Sequence, residues 1–515
     1  MFSNYARLAV LGMFCAACGG GESNPLTPST PGLHALVSPD STAAVDARVE
    51  KTPSVILVDA SGRGKAGSRV TFRVVAGGGK LTDSVVSTDA NGRAALGSWT
   101  VGPTPVDNTI EASVDGEASV RFSVSARWPR RLATSALGAC AIVTEGVRCW
   151  GDNSHTEFGF NFGPASSPTP VVAVAASTFV PVEISGGFGH HFCGIGADRR
   201  GVCWGRNDFG QAAATPFRLT GIAAAPLSRL WSTLSVGRIT TCGVVTDGDG
   251  LCWGPNQRGE IGNPATAPGA AANPNPTLVI ANGVRFKQIS AGWQHACGLS
   301  TEGVVYCWGN NLDGQLGISA RDSIHSTPTA IESSERFTSI AAAARHTCGI
   351  TIDRRAFCWG QNAYGQLGDG TRMSHATPTP VAGGMKFVSI ATSTFFISAL
   401  PPEVSLPPGT APACTPTESG VPYCWAAHTC ALTEAGQPYC WGWNGWGQLG
   451  DGTLETRVTP TAVSGSLTLN GLALGESSTC GMRGTTVWCW GGNTLGQLGD
   501  GTTTRRLVPT RVLLP

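Results

Sequence analysis

The chain has 515 residues, of which 13% are charged, and a formal net charge of +1. That balance excludes the basic footprint of a nucleic-acid binder and the acidic run of a solubilising tail. With 69 Gly and 33 Pro against five Met, the composition announces many turns and few helices, and no apolar run long enough to span a bilayer follows the N-terminus.

In chain order, residues 1–18 read as an export leader. Arg7 precedes a short apolar stretch, Leu8 to Ala17, followed by Cys18 and a run of glycines. Small residues before a cysteine and a polar, Gly-rich tether after it resemble a bacterial lipoprotein signal, which implies lipidation of Cys18. Cys15 departs from that pattern, which carries Leu there. An ordinary cleaved secretory signal is the alternative, and either reading places the mature chain outside the cytoplasm. Residues 19–33, rich in Gly, Ser, Pro and Thr, form a flexible tether.

From 34 to 127 the chain turns to Val- and Thr-rich β-segments. Asp59-Ala60-Ser61-Gly62, Val70-Thr71-Phe72, Thr88-Asp89-Ala90-Asn91-Gly92 and Asn108-Thr109-Ile110-Glu111-Ala112 follow one another in order. These landmarks resemble the bacterial immunoglobulin-like domains of the invasin and intimin type. The resemblance implies a β-sandwich serving as a spacer, and the segment's length suits that fold.

The sequence Cys-Trp-Gly then occurs seven times, with tryptophans at 150, 204, 253, 308, 359, 441 and 490. A period near 50 residues marks a repeat architecture, in which each unit buries its apolar face on a copy of itself. Each unit holds two short apolar runs around a turn, as in His295-Ala296-Cys297-Gly298-Leu299 and Val304-Val305-Tyr306-Cys307-Trp308 around Thr301-Glu302-Gly303. On such a hairpin the two cysteines face each other across neighbouring strands, with Cβ atoms roughly 4.5–5.5 Å apart, near disulfide geometry. Beyond Cys15 and Cys18 the cysteines fall into eight such pairs: Cys140 with Cys149, Cys193 with Cys203, Cys242 with Cys252, Cys297 with Cys307, Cys348 with Cys358, Cys414 with Cys424, Cys430 with Cys440 and Cys480 with Cys489. Zinc binding by these sixteen cysteines would call for short Cys-x-x-Cys knuckles, which are absent among them.

Four strands per unit and seven units predict a seven-bladed β-propeller over 128–515. The units, with Gly-Gln-Leu-Gly intact from Gly314, Gly365, Gly447 and Gly496, closely resemble the regulator of chromosome condensation repeat. The expected fold is therefore all-β, an immunoglobulin-like sandwich followed by a propeller. The C-terminal strand, Val508 to Val512, is expected to complete the first blade and close the ring. Residues 393–426 are an insertion. The sixteen residues from Cys414 match the next sixteen at Cys, Thr-Glu-x-Gly and Pro-Tyr-Cys-Trp, a duplicated hairpin expected to project as a finger.

No nucleophile elbow, phosphate loop or metalloprotease motif occurs. His191, His295, His346 and His428 each precede a cysteine in its own unit; a ring keeps them from converging on one ion, and each is expected to bond backbone inside its blade. The residue before the loop glycine varies among units. Phe158, Phe209, Tyr364 and Trp446, with Trp443 nearby, are the candidate binding residues, a composition found at interface hot spots. Packing of those aromatics against the neighbouring blade is the competing reading. The resemblance implies diverse functions: the eukaryotic namesake exchanges guanine nucleotide on a small GTPase and binds chromatin, and a secreted bacterial relative inhibits β-lactamases. Export argues against the exchange role. The expectation is a non-catalytic, cofactor-free, monomeric surface protein, lipid-anchored at the outer membrane or cell surface, that binds a protein or glycan. A purely structural or adhesive envelope element and an extracellular enzyme are the alternatives.

Overall fold

A computed structural model describes residue 28 and residues 30–514, except 40–41, 45–47, 50, 103–106, 116–118, 128–130, 144–145, 160–163, 174–178, 180, 213–222, 225–228, 267–268, 270–272, 321–323, 398–413 and 416–422. The leader, Cys18 and nearly all of the tether lie outside the described residues. The described residues up to Pro39, Arg48–Thr100 and Thr109–Ser123 make one compact unit; those of 40–47, 101–108 and Val124–Pro515 make the other.

In the N-terminal part, Gly32–Val37, Ser54–Val58 and Arg93–Ala95 form a three-stranded sheet. A five-stranded sheet is built around Arg69–Ala76 and Asp107–Ser113. Both Asp-x-x-Gly landmarks are the same turn. Asp59 Oδ1 accepts from the N–H groups of Ser61 and Arg63, and Asp89 Oδ1 from those of Asn91 and Arg93. The carboxylate thus satisfies two turn donors at once.

The second unit contains seven consecutive antiparallel sheets, or blades, spanning 132–172, 181–224, 231–278, 286–330, 337–380, 387–462 and 471–511. Each is four-stranded except the sixth, which has a fifth, two-residue strand, Cys414–Thr415. First strands touch those of the next blade all the way round, and the seventh touches the first. Because each blade is covered on both faces, its second strand does not alternate: His295–Ser300 and His346–Thr351 are buried at every position. Fourth strands lie at the rim and are largely half-buried or exposed, as in Ile324–Ala330.

Closure differs from the expectation. Arg506–Arg511 pairs with Thr486–Gly491 inside the seventh blade, and the first blade is already complete from Leu132–Thr134 to Ser166–Val172. Every unit begins at its innermost strand, so no strand is left over to exchange. Side chains close the seam instead: Trp150, Leu132 and Ala141 pack with Leu498, Val487 and Val512.

Candidate functional site

The repeated Cys-Trp-Gly accounts for itself residue by residue. Among the described residues, seven disulfides join second and third strands of the same blade. They link Cys140 to Cys149, Cys193 to Cys203, Cys242 to Cys252 and Cys297 to Cys307 in the first four blades. Cys348 is joined to Cys358, Cys430 to Cys440 and Cys480 to Cys489 in the last three. For the eighth expected pair, the backbone sets Cys414 opposite Cys424, while their side chains lie outside the described residues. The glycine takes a positive φ, +102° at Gly309, where the ladder to the fourth strand shifts register; a Cβ there would stand 2.4 Å from the Gln294 carbonyl.

The tryptophan holds blade to blade. Trp359 Nε1 donates to the Gln315 carbonyl of the preceding blade at 3.0 Å, and Trp441, Trp490 and Trp253 donate in the same way to Gln366, Gln448 and Gln211. Trp150 donates to Gln497 across the closing seam at 3.0 Å. The same Gln carbonyl accepts the hydroxyl of a second-strand threonine, for example Thr347 to Gln315 at 3.0 Å.

That threonine corrects the reading of the histidines. Instead of bonding backbone within its own blade, each imidazole reaches the next: His191 Nε2 lies 2.8 Å from Thr241 Oγ1, His295 2.9 Å from Thr347, His346 3.1 Å from Thr429 and His428 2.9 Å from Thr479. Burial pushes all four down to about 3, which keeps them neutral and structural. The unfolded chain takes these protons first as pH falls, so their contribution is intact above the ordinary 6.5 and is lost progressively between about 6.5 and 3. Glu260 and Glu476, raised by burial to about 7 from 4.5, act in the opposite direction over part of that range. A wild-type minus variant difference isolates one histidine. Between pH 6 and 4, His346→Gln should lose about 1.4 kcal/mol less per pH unit than the wild type in urea unfolding with disulfides intact. Parallel pH slopes would show that His346 titrates normally in the fold.

Three expected binding residues are interior. Phe158, Tyr364 and Trp443 are 1%, 2% and 1% exposed. Phe158 is also out of register with the variable position. In five of the other blades a Gln side chain accepts from the backbone N–H two residues earlier, as Gln366 does from Tyr364 and Gln448 from Trp446. In the first blade that pair is Glu157 and His155. His155 therefore holds the variable position, and Phe158 fills the slot of Leu316 and Leu367, packed near Trp204. The sequence hides this displacement because Thr156 adopts the left-handed conformation, φ +63°, that glycine supplies in the other blades. Counting five residues on from Asn153, as from Asn311 to Leu316, reveals it. Phe209 and Trp446 are half-buried.

Phe209, alone of the five expected binding residues, is among the lining of a cavity whose other walls sequence reading missed, on the face carrying the first-to-second and third-to-fourth strand loops. That cavity, of about 580 Å³, opens there between the second and sixth blades, lined by Arg206, Arg238, Arg258, Trp293, Arg345 and Trp425, among others. Of the duplicated hairpin, Cys414–Thr415 and the strand Tyr423–Thr433 of the sixth blade are described, and the rest, on which the expected finger depends, lies outside the described residues. Trp425 lies on Trp293, ring centroids 4.4 Å apart, and packs with Phe188 and Ala344 of the second and fifth blades. Arg345 is 4.5 Å from the Trp425 ring and ion-paired to Asp313 at 3.1 Å; Arg238 lies 5.2 Å from the Trp293 ring. Burial lowers Arg238 to about 10, with Arg206 adding to the effect and Glu476 opposing it, so it stays charged. A wall of alternating guanidinium and indole groups is chemically suited to contact carboxylates and apolar side chains together.

Residues 247–299, 302–350, 353–400, 435–480 and 486–515 match the regulator of chromosome condensation (RCC1) repeat. The chain carries RCC1 repeats in a β-propeller. The ultraviolet-B receptor UVR8 of Arabidopsis thaliana is 31% identical over 184 residues, 35% of this chain and 34% of that receptor. The probable E3 ubiquitin-protein ligase HERC4 of Rattus norvegicus is 34% identical over 87 residues, 16% of this chain and 8% of the ligase. The match thus spans about a third or less of either relative's length. Among solved structures, Prp20p of Saccharomyces cerevisiae superposes with a TM-score of 0.58 at 18% identity, over 71% of this chain and 85% of Prp20p.

Proposed function

We propose that this chain is an exported, non-catalytic binding protein whose propeller captures a protein partner through the Arg238–Trp293–Arg345–Trp425 cavity. The observation that carries the reading is the asymmetry of that mouth. Its side chains come from loop positions the repeat leaves open and from a hairpin found in one blade alone, so they are not dictated by the repeat, although Trp425 and Arg345 also contact neighbouring blades. Arginine and tryptophan dominate interface hot spots because they combine large apolar area with directional donors. The partner's contacting segment presents carboxylates beside apolar residues. Seven buried disulfides fit an oxidising compartment. Anchoring through Cys18, and an invasin-type immunoglobulin-like stalk over 34–127, complete the reading.

The test is a comparison of full-length wild type with Arg345→Glu and Trp425→Ala in surface cross-linking and capture. The expected result is one acidic protein partner retained by wild type and weakened at least tenfold by either variant; because Trp425 is 3% exposed, Trp425→Ala is destabilised and is compared at a temperature where it stays folded, with Arg345→Glu carrying the test if it does not fold. Partners captured equally by all three proteins would remove this surface from consideration. A chain recovered only from the cytoplasm would remove export.

A further inference from the structure

A second asymmetric feature sits at the junction of the first and second blades. Asp152 ends the strand Gly146–Asp152; His155 and Glu157 follow in its loop, and His190 stands in the loop before His191–Gly196. One ligating atom from each of the four lies within 4.8 Å of every other. His190 Nδ1 is 2.8 Å from Glu157 Oε1 and 3.4 Å from Asp152 Oδ2, while His155 Nδ1 is 3.7 Å from Glu157 Oε1. Ser154 Oγ lies 3.0 Å from both His155 Nδ1 and Asp152 Oδ2, so it can release the imidazole and keep the carboxylate. The two carboxylates are almost wholly buried, whereas His155 and His190 are 36% and 22% exposed, leaving an approach from solvent on the imidazole side.

The repeat does not require these residues. The position of Asp152 is held by Arg206, Asn310, Gln361 and Trp443 in other blades, and that of His190 by Gln294 and Arg345. Where the fourth and fifth blades meet, the positions matching His155 and His190 carry the simple ion pair Asp313–Arg345. Five blades have Gln in the slot of Glu157: Gln211, Gln315, Gln366, Gln448 and Gln497. The third blade also has a glutamate there, Glu260, but with Arg258 in place of the histidine.

We infer that Asp152, His155, Glu157 and His190 bind a divalent transition metal, zinc foremost, that staples the first blade to the second. Two imidazoles with two carboxylates suit zinc rather than calcium or magnesium, which take oxygen ligands in larger number. A tetrahedral ion at about 2.0–2.1 Å from each ligand sets the ligand atoms roughly 3.3 Å apart, within the range already present. Four protein ligands close the coordination shell, so the ion is structural and not a catalyst.

The test uses the full chain, stripped with chelator and titrated with zinc alone. Expected are one tightly bound equivalent and a rise in melting temperature. Glu157→Gln restores the residue of five other blades and its acceptor for the residue 155 N–H, so it should fold normally, yet bind zinc at least tenfold more weakly. Glu260→Gln, the matched control, should leave binding unchanged. Should Glu157→Gln fold poorly, His155→Leu tests the same loss at a position where Leu495 is already accommodated. Equal zinc binding by wild type and either site variant, or none by wild type, overturns the site and leaves His190 as an imidazolium held by two carboxylates.

Discussion

Replacing one disulfide, Cys348→Ala with Cys358→Ala, is expected to lower the unfolding free energy by about 2–3 kcal/mol, and reducing all seven is expected to leave the propeller unfolded at 37 °C. Each bond closes a loop of 9 or 10 residues. In the chain-entropy account one such closure is worth about 2.7 kcal/mol, acting mainly on the unfolded chain. A typical domain has only about 5–15 kcal/mol of net stability, so losing seven constraints together exceeds the reserve. All fourteen half-cystines are 0% exposed, so reductant acts only after a blade opens. The check is urea unfolding of oxidised and fully reduced protein, with thiols counted in the unfolded, unreduced chain. A reduced propeller with an unchanged transition, or most thiols free before reduction, would contradict both the stability argument and the oxidising compartment.

Trp359→Ala should cost about 3–5 kcal/mol, the usual penalty for emptying a large aromatic site. The loss should appear in two blades at once. Trp359 packs with Phe337 of its own blade and with Leu316 of the preceding one, while its Nε1 holds Gln315. Trp359→Phe keeps most of the apolar contact and forfeits the indole hydrogen bond, so about 1–2 kcal/mol is expected. Hydrogen exchange should show faster opening in residues 286–330 as well as 337–380. A penalty under about 1 kcal/mol for the alanine variant, or faster exchange in the fifth blade alone, would mean that the indole is not the inter-blade clasp.

These two predictions separate what can be read in the chain from what cannot. Cys297 and Cys307, Thr301-Glu302-Gly303 and the four strands of each unit are encoded within a few residues of one another, so spacing alone exposes them. The acceptor of Trp359, the partner of His346 and the seat of Trp425 belong to other blades, beyond the reach of a local pattern. Thr156 illustrates a different limit. A non-glycine residue in a left-handed turn erases the glycine marker in the first blade's loop and leaves only the weaker Asn153 spacing, so Phe158 reads as a surface residue although it fills a leucine slot. The cavity arginines carry no signal, because Arg206, Arg238, Arg258 and Arg345 are far apart in sequence and share no motif.

One consequence of the closing seam is mechanical. Since the last strand stays within its own blade, no β-ladder among the described residues latches the seventh blade to the first. The junction rests on the Trp150 indole, a few backbone contacts such as Gly501 N–H to the Pro168 carbonyl, and interlocked side chains. A tug on the C-terminus would therefore peel that blade away before any disulfide-pinned hairpin yields, and later blades would follow one by one. Stretching a single molecule should give a sawtooth, each extension shortened by a cystine loop of 9 or 10 residues that cannot lengthen.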